Sequence, residues 1–150
     1  MEEKLVSFST AKLAKEKGFD ISTNKYWCNF YIDEPFNIWK LLPTEELSIS
    51  FMEFAAPTQS LLQKFIREKR GVHIEIHRNA SGYYWSMCKA DGGTDLGWSD
   101  ISGPNDSGVW DSFEGALENA LQVQLSYDLP NDITIIKHWG NYVEFALKSK

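Results

Sequence analysis

The stretch APTQSLLQKFIREKRGVHIEI, residues 56–76, constrains the fold most, because its apolar period changes at a single glycine. Leucine, phenylalanine and isoleucine side chains recur at helical spacing within residues 58–70 and build one apolar stripe. Pro57 suits the first turn of a helix, where its missing N–H is not needed. Gly71 follows the last turn, in the position where helices end with a left-handed residue. The pattern predicts a helix over residues 58–70.

A strand follows this helix, since apolar and polar residues alternate directly after the glycine. The apolar set is Val72, Ile74 and Ile76, and the polar set is His73, Glu75 and His77. Residues 79–82, Asn-Ala-Ser-Gly, are typical of a turn, and residues 83–89 return as a second strand. The sequence therefore predicts a helix followed by a β-hairpin, with the histidines on a solvated polar face.

The N-terminal third contains a shorter helix and several strands. The helix runs from about Ser9 to Lys17, with Ser7 or Ser9 as its N-cap, and Gly18 ends it. Residues 26–32 and 46–54 favour strands, whereas residues 36–42 fit either a helical turn or a buried strand.

The C-terminal part predicts a long loop, a helix and a final hairpin. Residues 91–111 are rich in glycine and aspartate and read as a loop. Asp111 and Glu114 have the spacing of a capping box at the start of a helix over residues 112–126. Strands over residues 133–138 and 142–147 flank a turn.

These elements predict an α+β fold, with an antiparallel sheet of five or six strands and two or three helices packed on it. A length of 150 residues predicts a single domain over residues 1–150. We expect the helices over residues 58–70 and 112–126 to cover one face of the sheet. The side chains expected to be buried there are Leu61, Leu62, Phe65, Ile66, Ala116, Leu117, Ala120 and Leu121.

The N-terminal segment carries charges throughout and no apolar run of signal-peptide length, which indicates a cytoplasmic protein with no membrane partner. The net charge of −6 opposes attraction to phosphate backbones and anionic lipids. No stretch approaches the roughly 20 apolar residues that span a bilayer. Cys28 and Cys88 have no metal-binding spacing; free thiols are favoured over a lone disulfide.

The sequence assigns no catalytic, cofactor-binding or metal-ligating residue. His73 and His77 lie four residues apart on a predicted strand, about 13 Å in an extended chain, whereas zinc–nitrogen bonds are about 2 Å long. The aspartates of residues 91–111 lack calcium-loop spacing. Neither a phosphate-binding loop nor a serine-nucleophile motif occurs, so an enzyme remains the least favoured class.

Three segments, TAKLAKEKGFD (10–20), APTQSLLQKFIREKRGVHIEI (56–76) and SFEGALENALQ (112–122), occur in this order. Together they resemble a family of small uncharacterised proteins encoded by bacteriophages, prophages and mobile elements, notably of Bacteroides-like bacteria. That family has no established activity and no assigned catalytic residues. The resemblance implies an accessory protein of a phage or mobile element.

The function that these observations favour is non-enzymatic binding of a host or phage protein. Trp98 and Trp110 lie in the glycine-rich segment, and tryptophan is enriched at interface hot spots. The alternative for these two rings is that they fold back over the core.

Nucleic-acid binding is the second functional hypothesis. Gln63, Lys64 and Arg67 point away from the apolar stripe of the helix over residues 58–70, and a helix followed by a hairpin is the order of a recognition helix and wing. The acidic composition and the missing upstream helix count against this hypothesis.

Overall fold

The chain has the α+β architecture that the sequence predicts. The computed structural model describes residues 3–29, 39–44, 52–90, 101–102, 110–126, 133–139 and 142–147. Within these ranges the strands form two sheets, of three and five strands, whereas the sequence predicts one. The chain divides into two compact units, Met1–Leu62 and Gln63–Lys150. The single domain expected from the length stays a prediction.

The first unit contains one helix and a three-stranded antiparallel sheet. Its elements are α1 (Phe8–Glu16), β1 (Lys25–Asn29), β2 (Trp39–Pro43) and β3 (Met52–Ala55). The strand order is β2–β1–β3, and α1 packs against β3. The sequence of residues 36–42 fits either a helical turn or a buried strand. The structure shows a strand from Trp39 onward, and residues 36–38 lie outside the described part of the chain.

Both ends of α1 are stabilised as the sequence indicates. Ser7 is the N-cap, and its Oγ accepts a hydrogen bond from the Thr10 N–H at 3.3 Å. Gly18 has a φ of +93°, so a left-handed residue ends the helix. Phe19 follows and is buried.

Aromatic rings fill much of the first unit. Phe8 stacks on Trp39 at a centroid distance of 4.2 Å and meets Phe54 edge-on at 5.7 Å. The Trp27 indole N–H donates to the Val6 carbonyl at 3.2 Å. Such aromatic pairs contribute about 0.5–1.5 kcal/mol beyond their buried area.

The second unit contains a five-stranded sheet covered by helical segments. Its elements are a π-helical segment (Ile66–Arg70) that continues α2 (Gln59–Phe65), then β4 (Val72–Asn79), β5 (Gly82–Lys89), β6 (Ile101–Ser102), α3 (Phe113–Ser126), β7 (Ile133–Trp139) and β8 (Tyr142–Leu147). The strand order is β4–β5–β6–β8–β7. Neighbouring strands are antiparallel except β6 and β8, which pair in parallel.

The core of this unit lies between α3 and the β4–β5 hairpin. Trp85 is 1% exposed, and its indole N–H donates to Asn119 Oδ1 at 2.9 Å. Gln124 is equally buried and accepts a hydrogen bond from Arg70 Nε at 3.0 Å. Both buried polar groups are therefore satisfied, as the cost of burial requires.

Most of the predicted core is confirmed. Of the eight side chains expected to be buried between the helices and the sheet, Leu61 is half-buried. The other seven are buried: Leu62, Phe65, Ile66, Ala116, Leu117, Ala120 and Leu121. The side-chain cap of α3 is Ser112, whose Oγ accepts from the Gly115 N–H at 3.0 Å, one residue later than the predicted Asp111. Among the described helices, none is both long and apolar enough to cross a membrane.

Candidate interaction edge

Strand β4 forms one edge of the five-stranded sheet. In an antiparallel pair, every second residue of a strand forms hydrogen bonds with its neighbour. The Ala90 N–H donates to the Gly71 carbonyl at 3.0 Å, and this bond shows which residues of β4 face β5. Residues at odd positions of β4 therefore bond to β5. The backbone groups at the even positions, Val72, Ile74, Ile76 and Arg78, point away from the sheet.

One of these outward groups is covered by a side chain. Gln63, in the last turn of α2, donates its amide Nε2 to the Ile74 carbonyl at 2.9 Å. Among the described residues, none forms a hydrogen bond with the outward backbone groups of Ile76 or Arg78. We call this segment, Glu75–Asn79, the open edge.

The open edge ends at a tight hairpin. Asn79 Oδ1 accepts hydrogen bonds from the Ser81 N–H at 2.8 Å and from the Gly82 N–H at 3.2 Å. Gly82 is buried and has a φ of +147°, which favours glycine. This turn holds β4 and β5 in register up to Asn79, so it fixes which backbone groups of the open edge point outward.

A polar face of the hairpin borders the open edge. His73 Nε2 lies 3.3 Å from Glu75 Oε1, and His77 Nε2 lies 3.6 Å from Glu75 Oε2. His77 Nε2 also forms a 2.7 Å hydrogen bond with Ser86 Oγ, and its ring stacks on Tyr84 at 5.0 Å. The polar side chains that the sequence predicts to be solvated are thus partly exposed and linked through one carboxylate.

This face lacks the geometry of a nucleophilic triad. In a serine–histidine–carboxylate triad, the serine and the carboxylate engage opposite ring nitrogens. Here Ser86 and Glu75 both approach Nε2 of His77, so the carboxylate cannot orient the ring for proton transfer from Ser86. Across the described parts of the chain, no group of three or more histidine, cysteine, aspartate or glutamate side chains is arranged to hold a metal ion.

The structure places Trp110 beside the hairpin. The Tyr83 N–H donates to its carbonyl at 2.8 Å, and its own N–H donates to Tyr83 O at 3.3 Å. The ring is half-buried, and its Cδ1 lies 3.5 Å from the position of a Cβ on Gly115. Trp110 thus folds against its own unit. Trp98 lies outside the described residues.

The three residues proposed to contact nucleic acid have different environments. Gln63 is bound to Ile74, and Lys64 lies 3.9 Å from Glu68, one helical turn away. Arg67 is half-buried on the π-helical segment. Gln63 is therefore held by a hydrogen bond within the protein, whereas Lys64 stays exposed to solvent, and nucleic-acid binding stays a prediction.

Comparison with protein-family models, with curated proteins and with solved structures finds no match to this chain.

Proposed function

We propose that this chain is a non-enzymatic accessory protein of a bacteriophage or mobile element that binds a host or phage protein by strand addition at the open edge. The observation that carries the proposal is the pair of residues Ile76 and Arg78, whose outward backbone groups are bonded by no described residue. The phage or mobile-element origin rests on the sequence resemblance.

Strand addition is a common way to bind an extended peptide, since main-chain hydrogen bonds supply affinity and side-chain pockets supply specificity. An incoming strand finds two N–H donors and two carbonyl acceptors on Ile76 and Arg78. Each hydrogen bond that replaces water contributes about 0.5–1.5 kcal/mol net. The Ile74 carbonyl already accepts a hydrogen bond from Gln63, so the part of β4 that a partner strand can pair with begins after Ile74.

The surroundings of the open edge favour a polar or mixed partner strand. Arg78 is exposed and lies over the Tyr83 ring at 5.1 Å, while His77 and Glu75 lie on the opposite face. Neither Cys28 nor Cys88 forms a disulfide, which suits the reducing cytoplasm of a bacterial or phage-infected cell. The proposal therefore places the interaction in that compartment.

The test is quantitative affinity capture from host-cell lysate with three baits: the native protein, Arg78→Pro and Arg78→Ala. Proline removes the outward N–H, and proline is tolerated on an edge strand where that group faces outward. Alanine removes the side chain and leaves the backbone unchanged. We expect a specific partner on the native and Arg78→Ala baits and its loss on Arg78→Pro.

The thermal unfolding midpoint of Arg78→Pro provides the control for folding. A partner that the folded Arg78→Pro protein captures as well as the native protein contradicts strand addition. If no bait recovers a specific partner at micromolar concentration, the protein-binding function itself is contradicted.

A further inference from the structure

An open groove lies in the first unit, at the C-terminal end of α1. It is bounded by the last turns of α1, by the segment that follows this helix, and by β1 and β3, and it has a volume of about 490 Å³. Small-molecule sites have volumes of roughly 300–1,000 Å³. The groove is therefore large enough for a small organic ligand.

Part of the groove lining is apolar. Ala11 and Phe19 are 1% and 6% exposed, and Ala55 and Tyr26 extend this surface along the strands. Ile21 lies at the rim and is 40% exposed. In the described residues, Ile21 and Phe113 are the large hydrophobic side chains that stay exposed. Ile21 therefore extends the apolar lining of the groove to its rim.

The rim of the groove is negatively charged. Asp20 and Glu53 are both exposed, and neither forms an ion pair with a described residue. Lys15 is the cation at the rim, but its Nζ donates to the Glu53 carbonyl at 3.3 Å and lies 5.0 Å from the Phe54 ring centre. The C-terminal end of α1 adds the negative end of the helix dipole.

We propose that this groove binds a linear alkylammonium, a small molecule with an aliphatic chain and terminal ammonium groups. The chain would cover Phe19 and Ile21, and the ammonium groups would pair with Asp20 and Glu53. The Tyr26 ring offers an additional cation–π contact. An anion is disfavoured by the two carboxylates, and a neutral ligand gains nothing from them. This site is independent of the open edge.

The test is a two-dimensional amide NMR titration of the full chain with diaminopentane, and with pentanol as a neutral ligand of the same chain length. We expect diaminopentane to shift the amide signals of Ala11, Gly18, Ile21 and Ala55. Asp20→Asn and Glu53→Gln should each raise Kd about 1.5- to fivefold, the range that exposed ion pairs imply. Glu16→Gln removes an exposed charge from the same helix but not from the groove, and should leave Kd unchanged.

Three results would overturn the proposal. Absence of shifts at millimolar diaminopentane means that the groove does not bind alkylammonium ions. Equal shifts with pentanol mean that the groove is only an apolar surface. An equal effect of Glu16→Gln means that the attraction comes from the net charge of −6 and not from Asp20 and Glu53.

Discussion

Gly71 joins the π-helical segment that continues α2 to strand β4, in a conformation that other residues adopt at a cost. Its φ is +69°, and a Cβ at this position would meet no atom within 4 Å. A substitution therefore changes the backbone energy without a steric clash. The glycine is required for its conformation, as the sequence pattern predicts.

We expect Gly71→Ala to lower the free energy of unfolding by about 1 kcal/mol, the cost of a left-handed residue with a Cβ. Gly71→Asn should cost less, because asparagine tolerates this conformation. Urea denaturation measures both. Equal losses for alanine and asparagine would contradict the backbone explanation.

Gln63 is the second residue whose role the structure defines. Its amide bond to the Ile74 carbonyl ties α2 to the edge of the sheet. Gln63→Ala should lower the free energy of unfolding by about 1 kcal/mol.

Lys64→Ala is the matched control, because Lys64 is 58% exposed and pairs with Glu68 in solvent. We expect a change within about 0.5 kcal/mol. If Gln63→Ala changes the free energy of unfolding as little as this control does, the hydrogen bond from Gln63 to the Ile74 carbonyl does not stabilise the protein.

At the level of elements, local patterns predict most helices and strands. The change of period at Gly71 predicts β4, and the Asn79–Gly82 turn predicts β5, because each depends on neighbouring residues. The final hairpin of β7 and β8 is confirmed for the same reason. Strand β6 lies inside the predicted loop because two residues are too few to show a period.

The candidate site depends on information that local patterns lack. A period of two shows which side chains share a face, but not which strand lies at the edge of the sheet. The position of β4 follows from distant pairings, including that of β6 with β8. Sequence analysis therefore finds His73, Glu75 and His77 on one face but misses the open edge.

The helix of residues 58–70 also carries the nucleic-acid hypothesis. A helix that reads nucleic acid would lose affinity about tenfold or more on Lys64→Glu with Arg67→Glu, with a steep salt dependence. We expect no binding that depends on these two side chains, because the net charge of −6 opposes attraction to a phosphate backbone. Fluorescence anisotropy with labelled duplex DNA and RNA at low salt measures this.

Lys12→Glu with Lys17→Glu is the matched control, because it makes the same charge change at two exposed residues, one on α1 and one at its C-cap. If Lys64→Glu with Arg67→Glu lowers the affinity for nucleic acid and this control does not, the result supports the nucleic-acid hypothesis against strand addition.

At the scale of the whole molecule, the two proposals use separate parts of the chain. The open edge belongs to the unit Gln63–Lys150, and the groove belongs to the unit Met1–Leu62. Arg78→Pro therefore tests strand addition at the open edge and leaves the residues of the groove unchanged. Asp20→Asn tests ligand binding in the groove and leaves the open edge unchanged.

The central claim is that the outward backbone of β4 pairs with a partner strand. Amide hydrogen exchange measures this directly, because it reports whether each N–H is bonded. In the free protein, Ile76 and Arg78 should exchange rapidly, whereas His77, which bonds to β5, should exchange slowly.

In the complex with the captured partner, we expect the exchange of Ile76 and Arg78 to slow about two- to tenfold, as one added hydrogen bond implies, while His77 stays unchanged. If Ile76 and Arg78 exchange at the same rate with and without the partner, strand addition at the open edge is wrong.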